Sequence, residues 1–358
     1  MRRKTASTHK RRSCAGASGS KRSELAELQL TDYGLDRPES GDDVVVPFTL
    51  EQLDSRGRVV RLSESLDAIL TRHNYPAPVA RLLGEAVVLA ALIGSSLKFE
   101  GRFILQTQTD GPVNMIVVDL DAPDGLRGYA RFDADAVQKA IELGETRPAQ
   151  LLGKGHLAMT VDQGAHMDRY QGIVALEGGS LEDVAHTYFQ QSEQVPTLVR
   201  LAVAQLSRRG HPHPHWRAGG MLVQYLPPHG ERTMPDLPGD GDFSNLETAD
   251  KEFRESEKWA ETRALFSTIA DDELADPEIS AERLLFRLFH ETGVRVFEPV
   301  PLEERCTCSA ERIEAMLRDN FTAEERADMV VDGEIEVVCE FCSADYHFRP
   351  AEFDETQH

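Results

Sequence analysis

The sequence predicts an α+β fold in three parts: a large N-terminal α+β domain, a helical linker and a small cysteine-rich C-terminal domain. Three observations support this division. Strand patterns with a few interleaved helices fill residues 43–228, bulky apolar residues at helical spacing stand out in the acidic region 229–300, and four of the five cysteines lie in residues 301–358. Because strands and helices do not alternate regularly, the pattern favours α+β over a repeated βαβ array.

The composition narrows the range of partners. The 358 residues carry a formal net charge of −22, and such a polyanion repels both nucleic acid and anionic membrane surfaces. The closest approach to a membrane-length apolar span, 79–97, is interrupted by Arg81 and Glu85, so it predicts a helix buried in a core. We therefore expect no nucleic-acid partner and no membrane partner.

Residues 1–42 are predicted to form a disordered N-terminal extension, because they are first rich in Lys, Arg and Ser and then acidic, with little to bury. No apolar stretch follows the basic part, so no secretory signal is expected, and a transit peptide is the alternative interpretation. The extension contains Cys14. Four clustered thiols elsewhere in the chain favour a reducing compartment, so we expect a cytoplasmic protein.

The domain from 43 to 228 is expected to begin with two strands, followed by a helix that Ser63 is placed to cap. Pro78 suits the first turn of the long apolar helix, and residues 110–112 (DGP) predict a turn. The predicted strands cover 44–48, 58–62, 102–109, 113–119, 126–132, 156–162, 170–177, 198–204 and 220–226, with a further helix over 181–192.

The linker, 229–300, begins with a stretch rich in Pro, Gly and acidic residues. Helices are predicted over 253–269, which contains Trp259, and over 281–291. The simplest interpretation is that two amphipathic helices pack on the main domain. An excess of acidic residues favours a solvated outer face for them.

Two tight cysteine pairs mark the C-terminal domain, 301–358. Each pair can place two sulfurs about 2.3 Å from a shared ion, so the spacing predicts one Zn²⁺ per chain. The predicted ligands are Cys306, Cys308, Cys339 and Cys342. The other predicted elements are helices over 310–318 and 323–329 and a strand over 334–338. So short a segment can bury few apolar side chains. We therefore expect a bound metal to supply much of the free energy that stabilises its fold.

The same spacing permits local disulfides, Cys306 with Cys308 and Cys339 with Cys342, and thiolates are the form that oxidants attack. A structural Zn²⁺ contributes about 10–16 kcal/mol to folding a small module, whereas a disulfide that closes three or four residues contributes only about 1.5–2 kcal/mol. Oxidation is therefore expected to unfold the module. Helices packed against the module would then loosen and expose apolar surface. Oxidation would in this way switch the exposure of apolar surface on.

Other motifs in the sequence are weaker evidence for a functional site. His211, His213 and His215 alternate with prolines, and an extended segment could place three imidazoles on one side to hold a metal. The prolines favour a surface loop instead. Residues 153–155 (GKG) are a fragment of a phosphate-loop pattern and predict a turn. The sequence has no nucleophile–base signature, so an enzyme is not expected.

Several segments are shared with one known family. They are HNYPAP (73–78), LKFEG (97–101), DGPVN (110–114), YQGIVALE (170–177), Tyr188 with SEQVPT (192–197), GGML (219–222), RLFHE (287–291), CTCS (306–309) and CEFC (339–342). Through them the chain, from about residue 43 to 353, resembles the heat-shock protein 33 family of redox-regulated molecular chaperones.

The resemblance implies an N-terminal chaperone domain, a metastable linker and a C-terminal zinc redox switch. It implies that the reduced, zinc-bound form is an inactive monomer. Oxidants such as peroxide or hypochlorous acid would drive the Cys306–Cys308 and Cys339–Cys342 disulfides, release zinc and unfold the linker. The active form, usually a dimer, would hold unfolding client proteins without ATP. The extension with Cys14 and the histidine loop depart from the family pattern.

Two other functions stay open. One is a thiol–disulfide oxidoreductase that uses Cys339 and Cys342, although this motif follows a predicted hairpin strand and its first thiol lacks activation by a helix N-terminus. The other is a zinc-ribbon protein that binds nucleic acid, which the net charge of −22 opposes.

Overall fold

The computed structural model describes residues 39–96, 101–163, 169–207, 213–226 and 257–353, which all belong to one structural unit, Glu39–His358. These residues form the α+β fold that the sequence predicts. Three predicted features lie outside the described residues: the extension up to residue 38 with Cys14, the Pro- and Gly-rich start of the linker, and His211.

The described ranges contain fifteen strands and ten α-helices. The strands are β1 (Val44–Leu50), β2 (Ser55–Leu62), β3 (Arg102–Thr109), β4 (Val113–Asp121), β5 (Gly125–Phe132), β6 (Lys154–Asp162), β7 (Tyr170–Glu177), β8 (Thr197–Leu206), β9 (His215–Tyr225), β10 (Arg295–Val296), β11 (Val300–Pro301), β12 (Glu303–Glu304), β13 (Val330–Val331), β14 (Glu334–Val338) and β15 (Asp345–Phe348). The helices are α1 (Glu64–Thr71), α2 (Ala77–Gly94), α3 (Ala134–Leu143), α4 (Pro148–Leu152), α5 (Leu181–Tyr188), α6 (Glu257–Phe266), α7 (Asp271–Ala275), α8 (Ala281–Phe289), α9 (Ala310–Asn320) and α10 (Ala323–Asp328).

Two six-stranded sheets form the main domain. The first has the order β10-β1-β2-β9-β8, with β11 also paired to β1, and the second has the order β12-β5-β4-β3-β6-β7. The pairings are antiparallel except that of β12 with β5. Helix α2 packs against strands of both sheets. The predicted strands and the turn at 110–112 are therefore present, although β9 begins five residues earlier than expected.

Helix α2 is the centre of the core. Within the described ranges it is the one helix long and apolar enough to cross a membrane, and 78% of it is buried inside the protein. Pro76 occupies the N-cap position without a side-chain capping hydrogen bond. Pro78 lies in the first turn, as the sequence predicts. The apolar stretch is therefore the core helix that Arg81 and Glu85 led us to expect.

Helix α1 begins where the sequence predicts, but Ser63 does not cap it. The Ser63 side chain makes no capping hydrogen bond. The carboxylate of Asp43 instead accepts the backbone N–H groups of Ser63, Glu64 and Ser65 at 3.0–3.1 Å. A residue distant in sequence thus performs the capping role, which frees the Ser63 hydroxyl for a contact 2.9 Å from Nε2 of His215.

Strand β9 is covered on both faces, and two adjacent glycines make this possible. A Cβ atom at Gly219 would lie 2.0 Å from the carbonyl oxygen of Leu274 in α7, and one at Gly220 would lie 2.5 Å from Val88 in α2. Successive side chains of a strand point to opposite faces. Helix α2 therefore covers one face of the first sheet and the linker helix α7 covers the other.

The linker helices lie on that outer face, and their apolar side chains are buried. The Trp259 ring lies 5.8 Å from that of Tyr225, and the Phe289 ring lies 6.1 Å from that of Phe48. The buried linker residues are Trp259, Phe266, Ile269, Leu274, Ile279, Leu284, Leu285, Leu288 and Phe289. Helix α7 and the short strands β10–β12, which connect the linker to both sheets, were not predicted.

The C-terminal module is small. Its three-stranded sheet, β13-β14-β15, packs against α9, and α10 lies between α9 and β13 in the chain. The apolar side chains buried in its own core are Ile313, Leu317, Ile335, Phe348 and Phe353. Leu302, just before the first cysteine of the module, packs in the main core instead.

Candidate metal centre

Two turns bring the four cysteines together. Cys306 and Cys308 follow β12, whose pairing with β5 fixes the chain just before them. Cys339 and Cys342 occupy the connection between β14 and β15. In that turn the Ser343 N–H donates to the Cys339 carbonyl at 2.8 Å, and the Cys339 N–H donates to the Ala344 carbonyl at 2.9 Å.

The four sulfurs form a compact cluster. The Sγ–Sγ distances are 3.3 Å for Cys306–Cys308, 3.8 Å for Cys306–Cys339 and 3.3 Å for Cys308–Cys342, and all four atoms lie within 4.8 Å of one another. Tetrahedral coordination at a Zn–S distance of about 2.3 Å needs Sγ–Sγ distances of about 3.8 Å. All four are free thiols, and all are partly buried. The donor set and its geometry therefore fit one Zn²⁺.

The surroundings of the cluster shift the pKa values of its thiols in different directions. Burial raises the pKa of the Cys308 thiol, but hydrogen bonds from Tyr346 and from neighbouring thiols outweigh it, and the pKa falls to about 7. The Tyr346 hydroxyl donates to Cys308 Sγ at 3.1 Å. Burial alone would lower the pKa of Arg127. The neighbouring Asp119 and Cys306 outweigh that effect, so its pKa is raised. Burial raises the pKa of the Cys306 and Cys342 thiols, so the thiolate form is favoured at Cys308 in particular.

The residues between the paired cysteines contact the main domain. The Arg127 guanidinium donates to the Thr307 hydroxyl at 2.9 Å and lies 4.0 Å from the centre of the Phe341 ring. The Tyr129 ring meets Phe341 edge-on, with 4.9 Å between ring centres. Both arginine contacts depend on Asp119, which accepts from Arg127 at 2.6 Å and is buried. Strand β5 thus contacts both cysteine turns.

His73 makes a second contact with the module. Its Nε2 lies 3.1 Å from the Phe341 carbonyl and its Nδ1 lies 2.9 Å from the Ser343 hydroxyl. Because a carbonyl only accepts, Nε2 carries the proton and Nδ1 accepts from Ser343. At the exposed edge of this interface Arg131 pairs with Glu340 at 2.7 Å. No local sequence pattern identifies these residues as a group, although the shared segment 73–78 contains His73.

The histidine loop does not add a metal centre in the described residues. His215 is buried against Ser63, with Nδ1 3.3 Å from a carboxylate oxygen of Asp67. His213 is exposed and His211 lies outside the described ranges. Within those ranges the four cysteines are the one group of three or more potential ligands close enough to share an ion.

Comparison with known proteins identifies the family. The family model described as "Hsp33 protein" matches residues 43–349. A 33 kDa chaperonin from Caulobacter vibrioides is 50% identical over 318 residues, which cover 87% of this chain and 97% of the relative. A 33 kDa chaperonin from Shewanella woodyi is 35% identical over 301 residues, covering 84% and 91%.

A solved structure shows the same fold. The crystal structure of the 33 kDa chaperonin (Hsp33 homologue) from Thermotoga maritima superposes with a TM-score of 0.67 at 22% identity, covering 87% of this chain and 97% of that one. The resemblance found in the sequence is thus confirmed: the chain belongs to the Hsp33 family of chaperones.

Proposed function

We propose that this chaperone is an ATP-independent holdase switched on by oxidation of Cys306, Cys308, Cys339 and Cys342. The observation that carries the proposal is the compact cluster of four thiols whose intervening residues contact the main domain. A change in either cysteine turn is therefore transmitted to β5 through Thr307 and Phe341.

The reduced state is the folded, inactive one in this proposal. A Zn²⁺ bound by the four cysteines would keep them as thiolates and supply folding free energy of about 10–16 kcal/mol. The module needs that support, since only five apolar side chains form its core. The Tyr346 hydroxyl favours the thiolate form of Cys308, whereas burial raises the pKa of Cys306 and Cys342, so a bound cation would be needed to hold these two thiols ionised.

Oxidation removes the ligands. Four thiols lose four electrons and four protons to form two disulfides, and two molecules of peroxide accept them and become four molecules of water. We propose Cys306–Cys308 and Cys339–Cys342 as the pairs, because short separation gives each a high effective concentration. Distance alone does not select them, since Cys308 and Cys342 are as close as Cys306 and Cys308, at 3.3 Å. Peptide mapping with a dominant Cys308–Cys342 or Cys308–Cys339 crosslink would contradict the pairing.

Unfolding of the module then releases the linker. Each disulfide stabilises the folded module by only about 1.5–2 kcal/mol, which is far less than the contribution of the lost Zn²⁺. The oxidised module therefore stays unfolded in this proposal. Helices α6–α8 have too little sequence to stay folded without supports, and β10–β12 connect them directly to the module. Their departure uncovers the outer face of the first sheet, including Phe48 and Tyr225. We propose that the exposed apolar surfaces hold unfolding clients.

The remaining features of the proposal follow from this cycle. The reduced chain is proposed to be a monomer and the oxidised chain a homodimer, acting in the cytoplasm on oxidatively damaged clients, without enzymatic activity. The competing function, thiol–disulfide exchange by Cys339 and Cys342, is disfavoured by their position in a hairpin turn rather than at a helix N-terminus.

One experiment tests the proposal and its competitor together. Zinc content, suppression of client aggregation and insulin reduction are measured before and after peroxide treatment. We expect one zinc per reduced chain, loss of zinc on oxidation, a gain in aggregation suppression and no insulin reduction. Aggregation suppression that is equal in both states would contradict the switch, and catalytic insulin reduction would favour the oxidoreductase.

A further inference from the structure

Two buried arginines on the outer face of the first sheet bind the linker backbone. Arg61 of β2 and Arg217 of β9 are each 2% exposed. Arg217 donates to the Ala275 carbonyl at 3.2 Å, and Arg61 donates to the carbonyls of Leu274 and Asp276. These are carbonyls at the C-terminal end of α7, which lack partners within the helix. The two arginines therefore cap a five-residue helix that is too short to persist alone.

One carboxylate of the N-terminal segment, that of Asp42, pairs with both arginines. Asp42 accepts from both terminal nitrogens of Arg217, at 2.6 and 2.5 Å, and lies 3.6 Å from Nε of Arg61. Burial, and then the neighbouring Arg217, lower the pKa of Arg61. Burying two adjacent guanidinium groups destabilises the fold unless a carboxylate pairs with them. Removal of the Asp42 carboxylate would leave that destabilisation uncompensated.

The same segment also holds helix α8. The Glu39 carboxylate accepts two hydrogen bonds from Arg283, at 2.8 and 2.6 Å, and the Ser40 N–H donates to Glu282 at 3.1 Å. Its other end is fixed to the core, where Asp43 caps α1. We call residues 39–43 the N-terminal strap. The strap thus joins the main domain to both α7 and α8.

We propose that the N-terminal strap is an autoinhibitory latch, which keeps α7 docked on the first sheet through the Asp42–Arg217–Arg61 cluster and holds α8 there through Glu39 and Ser40. The inference deepens the proposed function and rests on it for its consequence, because docked helices inhibit only if clients bind beneath them. Residues 39–42 precede the part of the chain that the family model matches, 43–349. The latch is therefore a separate device from the cysteine switch.

The test is amide hydrogen exchange of the full-length, reduced protein with Asp42→Asn. We expect exchange over 271–289 to accelerate at least tenfold, with exchange in β3–β6 unchanged. The matched control is Asp54→Asn, which makes the same charge change at another contact between main domain and linker, the exposed ion pair of Asp54 with Lys258. We expect less than a twofold change for the control. Unaltered exchange over 271–289 in Asp42→Asn, or equal acceleration in Asp54→Asn, would overturn the latch.

A second variant decides the matter if Asp42→Asn fails to fold. Glu39→Gln removes only the pair with Arg283, and we expect about threefold faster exchange confined to 281–289; no change there would overturn the latch. Exchange needs neither oxidant nor client, so it separates this inference from the proposed function. Faster exchange with no gain in aggregation suppression by the reduced protein would support the latch and contradict the proposed client surface.

Discussion

Among the residues that the structure describes, the main apolar cluster contains 46 buried residues, of which Leu302 comes from the C-terminal part, whereas the C-terminal module buries five in its own cluster. Both are folded, but by different means. The main domain is stabilised by burial of apolar surface, which no oxidant or chelator removes. The module depends on its four thiols and on contacts with β5 and His73. The difference indicates which region can switch: in the proposed cycle, oxidation of the four cysteines would unfold the module and leave the main domain intact.

The largest expected effect comes from removing a metal ligand, which should unfold the C-terminal module and leave the main domain folded. Cys306→Ser removes one of four thiolate ligands, so we expect loss of stoichiometric zinc and of most of the folding contribution of about 10 kcal/mol. Amides of α9 and β14 should lose protection while those of α2 keep theirs. Zinc titration and hydrogen exchange measure both, with Cys14→Ser as the matched control. Unchanged zinc affinity in Cys306→Ser would refute the assignment of the ligands.

The second effect acts on the main domain alone and depends on pH. Burial, then Glu182, raise the pKa of Glu85 in α2 from its usual 4.5 to about 7. A carboxyl that binds its proton more tightly when folded stabilises the fold below pH 4.5 and loses that contribution as pH rises through 7. The loss is about 3 kcal/mol between pH 4.5 and pH 8. Urea unfolding should show it, and Glu85→Gln should abolish it. A slope that survives in Glu85→Gln would assign it to other groups.

A third, smaller effect concerns the boundary between linker and main domain. Gly219→Ala would bring a methyl group against the Leu274 carbonyl, so we expect α7 to undock at a cost of about 2–3 kcal/mol. The reduced protein should then suppress client aggregation without oxidant. Gly125→Ala makes the same change in β5, where the nearest atoms would lie 3.4 Å from the added methyl group, an ordinary van der Waals distance, and we expect no effect. Reduced Gly219→Ala protein that stays as inactive as the unmodified chain would place the client surface elsewhere.

The smallest expected effect measures how much the contact between β5 and the C-terminal module stabilises the module. Phe341→Leu keeps an apolar side chain but removes the ring that faces Arg127 and Tyr129, and we expect a loss of about 1–2 kcal/mol. The module should then unfold at a lower peroxide concentration. Arg131→Gln is the control, because its pair with Glu340 is more than half exposed. Equal peroxide thresholds for all three proteins would show that β5 does not stabilise the module.

Local patterns in the sequence predicted much of the fold and the cluster. Helix α2 was evident because an apolar stretch followed two prolines, and the thiol cluster because two short cysteine spacings stood alone. The capping of α1 was predicted wrongly, since Asp43 takes the place of Ser63. A capping residue distant in sequence leaves no local signal.

Helix α7 and the interface of the module with β5 were missed for the same reason. Helix α7 is five residues long, and its partners Arg61 and Arg217 are more than fifty residues away in sequence. Arg127 approaches the cysteine turns across 180 residues of chain. Such contacts arise only when the sheets assemble, so no pattern within a short window predicts them.

The paired glycines of β9 place two independent evolutionary constraints on neighbouring positions. Position 220 faces α2, a permanent contact, whereas position 219 faces α7, a contact that the proposed cycle makes and breaks. A descendant that dispensed with the linker would be free to acquire a side chain at position 219. The same descendant would still retain glycine at position 220, because a side chain there would collide with Val88 of the core helix α2.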